Sequence, residues 1–410
     1  MRTVLVTGAG GAGRTTVAAA TAVSAAAPGR RVLVLSADRG GALERVLGTA
    51  TGAAAVPGGS VPSADRAVFA APVPSAPGLW AGRIDPAASF RADAIELQGR
   101  VGALLELLGA APLDPEELTE LPGAEPLALL RALRDTAGRW DLVVVDLPPV
   151  GDALAALALP EQLRRYLARL LPEQRQAARA LRPMLAQLAG VPAPGPWAYE
   201  AAARADRELA AAQAVVEDAA TTVRLVVEPG AHAAEAVRHA RAGLALYGHR
   251  LEAVVANRLL PAHSPDPWLA ELSGLQRKEL RALRAEIAGS GTGLHELPHL
   301  GREPRGTGDL ARLAAEPPAA AAEGPAAPPW TTEDRLAAEG HFRWLLPLPG
   351  ALRHTVDLVR RGDELVVDAE GHRRVLPLPS ALRRCTVEGA ALRDGVLQVR
   401  FVPDPAVWPR

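Results

Sequence analysis

The opening residues constrain this chain more than any other stretch. Thr3-Val-Leu-Val-Thr7 runs into Gly8-Ala-Gly-Gly-Ala-Gly-Arg-Thr-Thr16. A short apolar strand that enters a glycine-rich turn and then an alanine-rich helix over residues 15–26 exposes backbone N–H groups at a helix N-terminus. The helix dipole favours an anion there, so Gly8, Gly10, Gly11, Gly13, Arg14, Thr15 and Thr16 read as a phosphate cradle. Gly8 to Thr15 fits G-x-x-x-x-G-K-[ST] at every fixed position except the lysine, where Arg14 stands.

Gly8, Gly10 and Gly13 also spell G-x-G-x-x-G, and Asp38 ends the next strand about 25 residues later. In that alternative the chain is an NAD(P)-binding oxidoreductase with Asp38 on the ribose 2′-OH. Three features favour a P-loop instead. None of Tyr166, Tyr199 and Tyr247 has a lysine four residues on, as reductases with such a loop usually need. Thr15 and Thr16 stand where a P-loop supplies its Mg²⁺ ligand. Trp140-Asp-Leu-Val-Val-Val-Asp146 reads as a buried strand ending in an acid, as a Walker-B strand does.

The 410 residues suffice for two or three domains with a large core. A net charge of −1 argues against general affinity for nucleic acid or a membrane surface. Cys385 is the one cysteine, which excludes an internal disulfide or a thiolate metal cluster. Met1 leads directly into a strand, and no apolar run approaches the roughly 20 residues that span a bilayer. A cytoplasmic protein without stable membrane insertion is expected. Lys278 is the one lysine, so Arg14 reflects either a general drift from lysine to arginine or selection against catalysis.

Residues 1–312 alternate strand-like and helix-like segments, which predicts an α/β fold with a mostly parallel sheet. Buried strands are expected at 3–7, 31–36, 141–146, 222–227 and 252–257, with a further one at 78–85. A helical insertion is expected at about 155–218, where Leu159, Leu163, Leu167, Leu170 and Leu171 recur at helical spacing and residues 178–188 continue the style. Pro192-Ala-Pro-Gly-Pro196 breaks it. Residues 313–337 read as a Pro/Ala-rich linker and 338–410 as a small antiparallel β-sandwich, with short β-type runs at 342–346, 356–358, 364–367, 374–376 and 396–401. Gly362-Asp363, Glu370-Gly371 and Asp394-Gly395 supply turns.

With these residues in view, the chain resembles the anion-transporting ATPase family: the ArsA arsenical-pump ATPase and its relatives that target tail-anchored membrane proteins. The loop is similar to that family's G-K-G-G-V-G-K-T-T. Ser36-Ala-Asp-Arg-Gly-Gly-Ala-Leu43 resembles its switch I through Ser36, Asp38 and Leu43. Asp146-Leu-Pro-Pro-Val-Gly-Asp-Ala-Leu154 resembles switch II through Asp146, Pro149, Gly151 and Leu154. Val254-Val-Ala-Asn-Arg-Leu-Leu-Pro261 is close to V-V-x-N-R-x-x-P, whose asparagine reads adenine. Leu345-Leu-Pro-Leu-Pro-Gly350, Leu376-Pro-Leu-Pro379 and residues 392–401 resemble the α-crystallin-like domain of bacterial members.

The resemblance implies ATP and Mg²⁺ as ligands, with Thr15 and Asp146 at the metal, Asp38 orienting or deprotonating the attacking water, and Asn257 on the adenine. Arg14 stands for the lysine that serves its own subunit, and Ala9 for the one that reaches across a dimer. The expected protein is a dimeric client- or ion-handling homologue with a degenerate phosphate loop that binds ATP and hydrolyses it weakly or not at all. The alternative is a pseudo-ATPase scaffold in a heterodimer with an active paralogue. Family members form a groove for a hydrophobic client from the helical insertion, where this chain has its leucine stripe. The Cys-x-x-Cys pair of the targeting ATPases and the arsenite-binding cysteines are absent.

Overall fold

The computed structural model describes residues 1–49, 68–107, 109, 111–171, 196–313, 315–316 and 328–408. An eight-stranded sheet forms from β1 (Arg2–Gly8), β2 (Val32–Ser36), β3 (Val68–Pro72), β4 (Leu79–Ile84), β5 (Leu142–Asp146), β6 (Thr221–Val227), β7 (Leu251–Leu259) and β8 (Gly293–Pro298). Their order is β3-β4-β2-β5-β1-β6-β7-β8. All neighbours are parallel except β3, which runs antiparallel to β4 at the edge.

The continuous apolar strands are legible as two interleaved sets. Val4, Val6, Val32, Val34, Leu142 and Val144 pack on one face with α1 (Arg14–Ala25) and α2 (Ala42–Leu47). Leu5, Leu33, Leu35, Val143 and Val145 pack on the other with α4 (Ala124–Thr136) and α5 (Val150–Leu170). A strand that is apolar at every position needs cover on both sides, and the alternation of side chains supplies it. The remaining long helices are α3 (Pro86–Leu107), Pro196–Val216, Ala233–Tyr247 and Pro267–Ile287.

Strands appear at all five expected places, and β4 at the sixth. β3 and β8 were not anticipated, because one carries mainly alanine and proline and the other a mixed polar sequence, GLHELP. Both are sheet edges, where half the pairing and less burial relax the demand for an apolar run. Of the expected helical insertion, α5 and Pro196–Val216 are described. Residues 178–188 and the proline break before Pro196 lie outside the described residues.

The C-terminal sandwich has a four-stranded sheet, β14-β15-β10-β9, and a three-stranded one, β11-β12-β13. Its strands are β9 (Thr331–Arg335), β10 (His341–Pro347), β11 (Val356–Arg361), β12 (Glu364–Ala369), β13 (His372–Pro377), β14 (Cys385–Arg393) and β15 (Val396–Pro403). Trp344, Leu346, Leu365, Val367, Val399 and Phe401 fill the space between the sheets. Glu370-Gly371 and Asp394-Gly395 both hold two consecutive positive φ angles, the type I′ geometry that matches strand twist in a two-residue hairpin. β9 and β14 had no sequence signal: one is TTEDR, the other carries Gly389 at a bulge and two alanines. β9 falls inside the stretch read as linker, whose residues 317–327 lie outside the described ones.

The sandwich sits beside His249, whose buried Nε2 has no hydrogen-bond partner among the described residues. Burial first, then the charge of Arg374, push its pKa down to about 4. The unfolded chain therefore binds a proton between pH 6.5 and 4 that the folded chain refuses, so stability should fall as pH drops through that window. The loss has a ceiling of about 3 kcal/mol, lowered because His249 as a whole is only half-buried. Urea midpoints at pH 7 and pH 5 should converge in His249→Phe; an unchanged gap between them would exclude this imidazole as the source.

Candidate functional site

Gly8 ends β1 with φ 154°, and the loop then turns through Gly11 at 77° and Gly13 at 90° before α1 begins at Arg14. α1 has no side-chain cap and no acid in its first turn. Its positive end therefore stays uncompensated from within, with Ala9, Gly10 and Gly11 exposed above it. Thr7 fixes the base of the loop from below, its Oγ1 donating to the Pro148 carbonyl at 2.7 Å.

Asp146, 5% exposed, lies beneath this turn. Its Oδ2 accepts from Thr15 Oγ1 and Ser36 Oγ, each at 2.7 Å. The sheet order creates this cluster: β5 lies between β1 and β2, and its register sets Asp146 opposite both Val6 and Ser36. Burial raises the Asp146 pKa, while the two hydroxyls and the Arg14 guanidinium pull it back. A carboxylate with two hydroxyls is a hard oxygen donor set, the chemistry Mg²⁺ prefers. These side chains fit the metal.

The dinucleotide alternative fails on the same strand order. A fold that holds a ribose with an acid at the end of the second strand places that strand beside the first. Here β5 intervenes, so Asp38 is one strand removed from the loop.

Asp38 follows β2 and is exposed. Its backbone N–H donates to Ser36 Oγ at 3.1 Å, and its Oδ2 accepts from the Ala42 N–H at 2.9 Å, at the start of α2. Arg14 Nη1 lies 3.4 Å from the Gly8 carbonyl, so the guanidinium folds back along the loop.

β7 grips the loop from the other side. Asn257, 4% exposed, donates from Nδ2 to the Ala12 carbonyl at 2.8 Å. A Cβ on Gly13 would stand 2.3 Å from that same nitrogen. Arg258, at φ 60°, donates from Nη1 to the Gly11 carbonyl at 3.0 Å and pairs with Glu228 at 3.2 Å. A cavity opens beside them, lined by Thr16, Asn257, Pro298, His299, Leu300 and Leu313 among others.

The structure thus gathers Thr15 and Asp146 in direct contact, brings Asp38 to them through Ser36, and places Asn257 against the opposite wall of the loop. Two participants escaped the sequence reading as site residues. Ser36 shares the Asp146 carboxylate with Thr15, and Arg258 clamps the loop backbone. Both stood inside motifs already singled out, one two residues before Asp38 and the other directly after Asn257.

Comparison with known proteins matches the family described as anion-transporting ATPase over residues 1–316. The HSP20-like domain found in ArsA matches residues 339–401. A protein of Streptomyces coelicolor described as uncharacterized is 54% identical, covering 100% of both chains. A Mycobacterium tuberculosis protein is 36% identical over 100% of this chain and 97% of its own. A protein of Aquifex aeolicus named as an arsenical pump-driving ATPase is 24% identical over 97% of this chain and 99% of its own.

Proposed function

The chain belongs to the anion-transporting ATPase family, and from that premise we propose that it binds Mg²⁺-ATP at the glycine loop and turns it over slowly. The observation that carries this reading is the convergence of Thr15 and Ser36 on Asp146 directly beneath the turn. In such a site the loop N–H groups and the α1 N-terminus would hold the phosphates, and Mg²⁺, when bound, would supply charge neutralisation there. Thr15 and Asp146, in contact at 2.7 Å, are the side chains that would hold the metal, and Ser36 keeps the Asp146 carboxylate oriented. Asp38 releases the Ala42 N–H to orient the attacking water. Asn257 reads the adenine edge.

Slow turnover follows from the missing cations. A guanidinium is a planar fork, bulkier than an ammonium, and Arg14 spends it on the Gly8 carbonyl. Ala9 offers no charge to a partner subunit. A second reading, a non-catalytic scaffold that works beside a lysine-bearing paralogue, draws on the same two positions. Dimerisation and a hydrophobic client remain part of the proposal. The arsenical cargo in the relatives' names is not carried over: arsenic(III) is soft and calls for thiolates. Cys385, the one cysteine, is buried in the sandwich. Among the described residues no helix is long and apolar enough to cross a membrane.

Isothermal titration with Mg²⁺-ATP, ADP and NAD tests the reading. Wild type should bind the two adenine nucleotides and not NAD. Gly13→Glu, whose side chain collides with Asn257 and repels phosphate, should lose at least about 100-fold in affinity. Equal heats in both proteins, or none in either, would sink the assignment.

A further inference from the structure

The C-terminal sandwich sits on the two helices that lead away from the site. Leu246, near the end of Ala233–Tyr247, belongs to the sandwich core, and the Tyr247 hydroxyl donates to the Arg373 carbonyl at 3.0 Å. At Gly243 that helix is pinched from both sides: a Cβ there would stand 2.7 Å from His372 Cδ2 and from Leu154 Cδ1. Arg374 joins all three bodies. Its Nη1 donates to the Leu246 carbonyl at 2.9 Å and its Nε to Glu161 Oε2 at 3.0 Å, with the side chain only 8% exposed. Further along α5, Arg165 and Arg169 reach Glu364 of β12 at 3.4 and 2.6 Å.

α5 is therefore a helix in two functional halves. Before Pro160 it buries Ala153, Leu154, Ala156, Leu157 and Ala158. Beyond it, Glu161, Arg165 and Arg169 fall four residues apart on one stripe that faces the sandwich. The near end starts at Val150, joined to Asp146 by Leu147-Pro148-Pro149. Two consecutive prolines make that connector stiff, and Thr7 pins its Pro148 carbonyl to β1. This short connector is the covalent path from α5 to the carboxylate that Thr15 and Ser36 share.

We propose that the sandwich is an intramolecular clamp on α5 that sets the position of the 146–149 segment, so that sandwich docking and nucleotide affinity are linked. This regulation rests on the nucleotide reading of the site. Linkage is reciprocal: if releasing the clamp changes affinity for Mg²⁺-ATP, Mg²⁺-ATP changes the docking of the sandwich by the same factor.

The test uses the full chain with Glu161→Gln and Arg374→Met, read by titration with Mg²⁺-ATP and by amide exchange of residues 147–153. Each variant is expected to change affinity about fivefold or more and to speed exchange at 147–153 without ligand. Affinity and exchange both unchanged from wild type would overturn the clamp. If Arg374→Met loosens the whole chain, seen as faster exchange in β1, Glu161→Gln decides, because it leaves the Arg374 bond to Leu246 in place. If wild type binds no Mg²⁺-ATP, the nucleotide reading falls by itself. Exchange at 147–153 in Glu161→Gln then decides the clamp: acceleration supports it and no change overturns it.

Discussion

Ala9→Lys combined with Arg14→Lys should raise ATP turnover about 10²- to 10³-fold, the range a phosphoryl-stabilising cation commands. The pocket those lysines would serve is otherwise furnished: Thr15, Asp146 and Ser36 are in contact, and α1 points its uncapped end at the loop. A lysine at position 14 places a compact ammonium at the γ-phosphate, where the present guanidinium turns back towards Gly8. The two substitutions separate by their concentration dependence. On the dimeric reading proposed above, Arg14→Lys is expected to act within one chain and Ala9→Lys only where a second copy presents its nucleotide. Single-turnover phosphate release, measured across protein concentrations, distinguishes them. If the double variant binds Mg²⁺-ATP and turns it over no faster than wild type, the deficit does not lie in the loop cations.

The second large effect concerns the fold beneath the loop. Gly8→Ala is expected to destabilise the ATPase-like body by on the order of 4 kcal/mol, a drop in Tm of roughly 10 °C. An added Cβ would stand 2.0 Å from the Val226 carbonyl oxygen, a contact no real pair of atoms shows, at a backbone φ of 154° that disfavours an L side chain. The obstacle is the backbone of β6, held by its pairing with both β1 and β7, so no side-chain rotation relieves it. The sandwich keeps its own core, and its unfolding should move less. A thermal scan with Tm within about 2 °C of wild type would show that β1 and β6 can part at this point.

Much of this was legible in order along the chain. The run Thr3 to Thr16 carries its strand, turn and helix in local chemistry: β-branched residues, glycines at positive φ, then alanine. The hairpin turns Glu370-Gly371 and Asp394-Gly395 were readable for the same reason, since a type I′ turn needs particular residues and nothing distant. β3, β8, β9 and β14 were not, because edge pairing and a bulge are satisfied by a neighbour rather than by composition. At the site, Asp146 was singled out by its strand-end position and Asn257 by the likeness of its surroundings to the family's V-V-x-N-R-x-x-P pattern. Ser36 and Arg258 gained their meaning from partners 110 and 247 residues away.

By itself the sequence determined the central strands and helices and one of the chemistries they could support, a backbone cradle for phosphate, because both follow from interactions a few residues long. It left two nucleotide folds open. The tertiary structure closed that choice by inserting β5 between β1 and β2, which brings Asp146 under the loop and sets Asp38 a strand away. It also placed the sandwich on α5 through Arg374, a contact between residues 213 positions apart. Strand order and domain docking are decided by which apolar faces can be buried together, and that is a property of the whole chain.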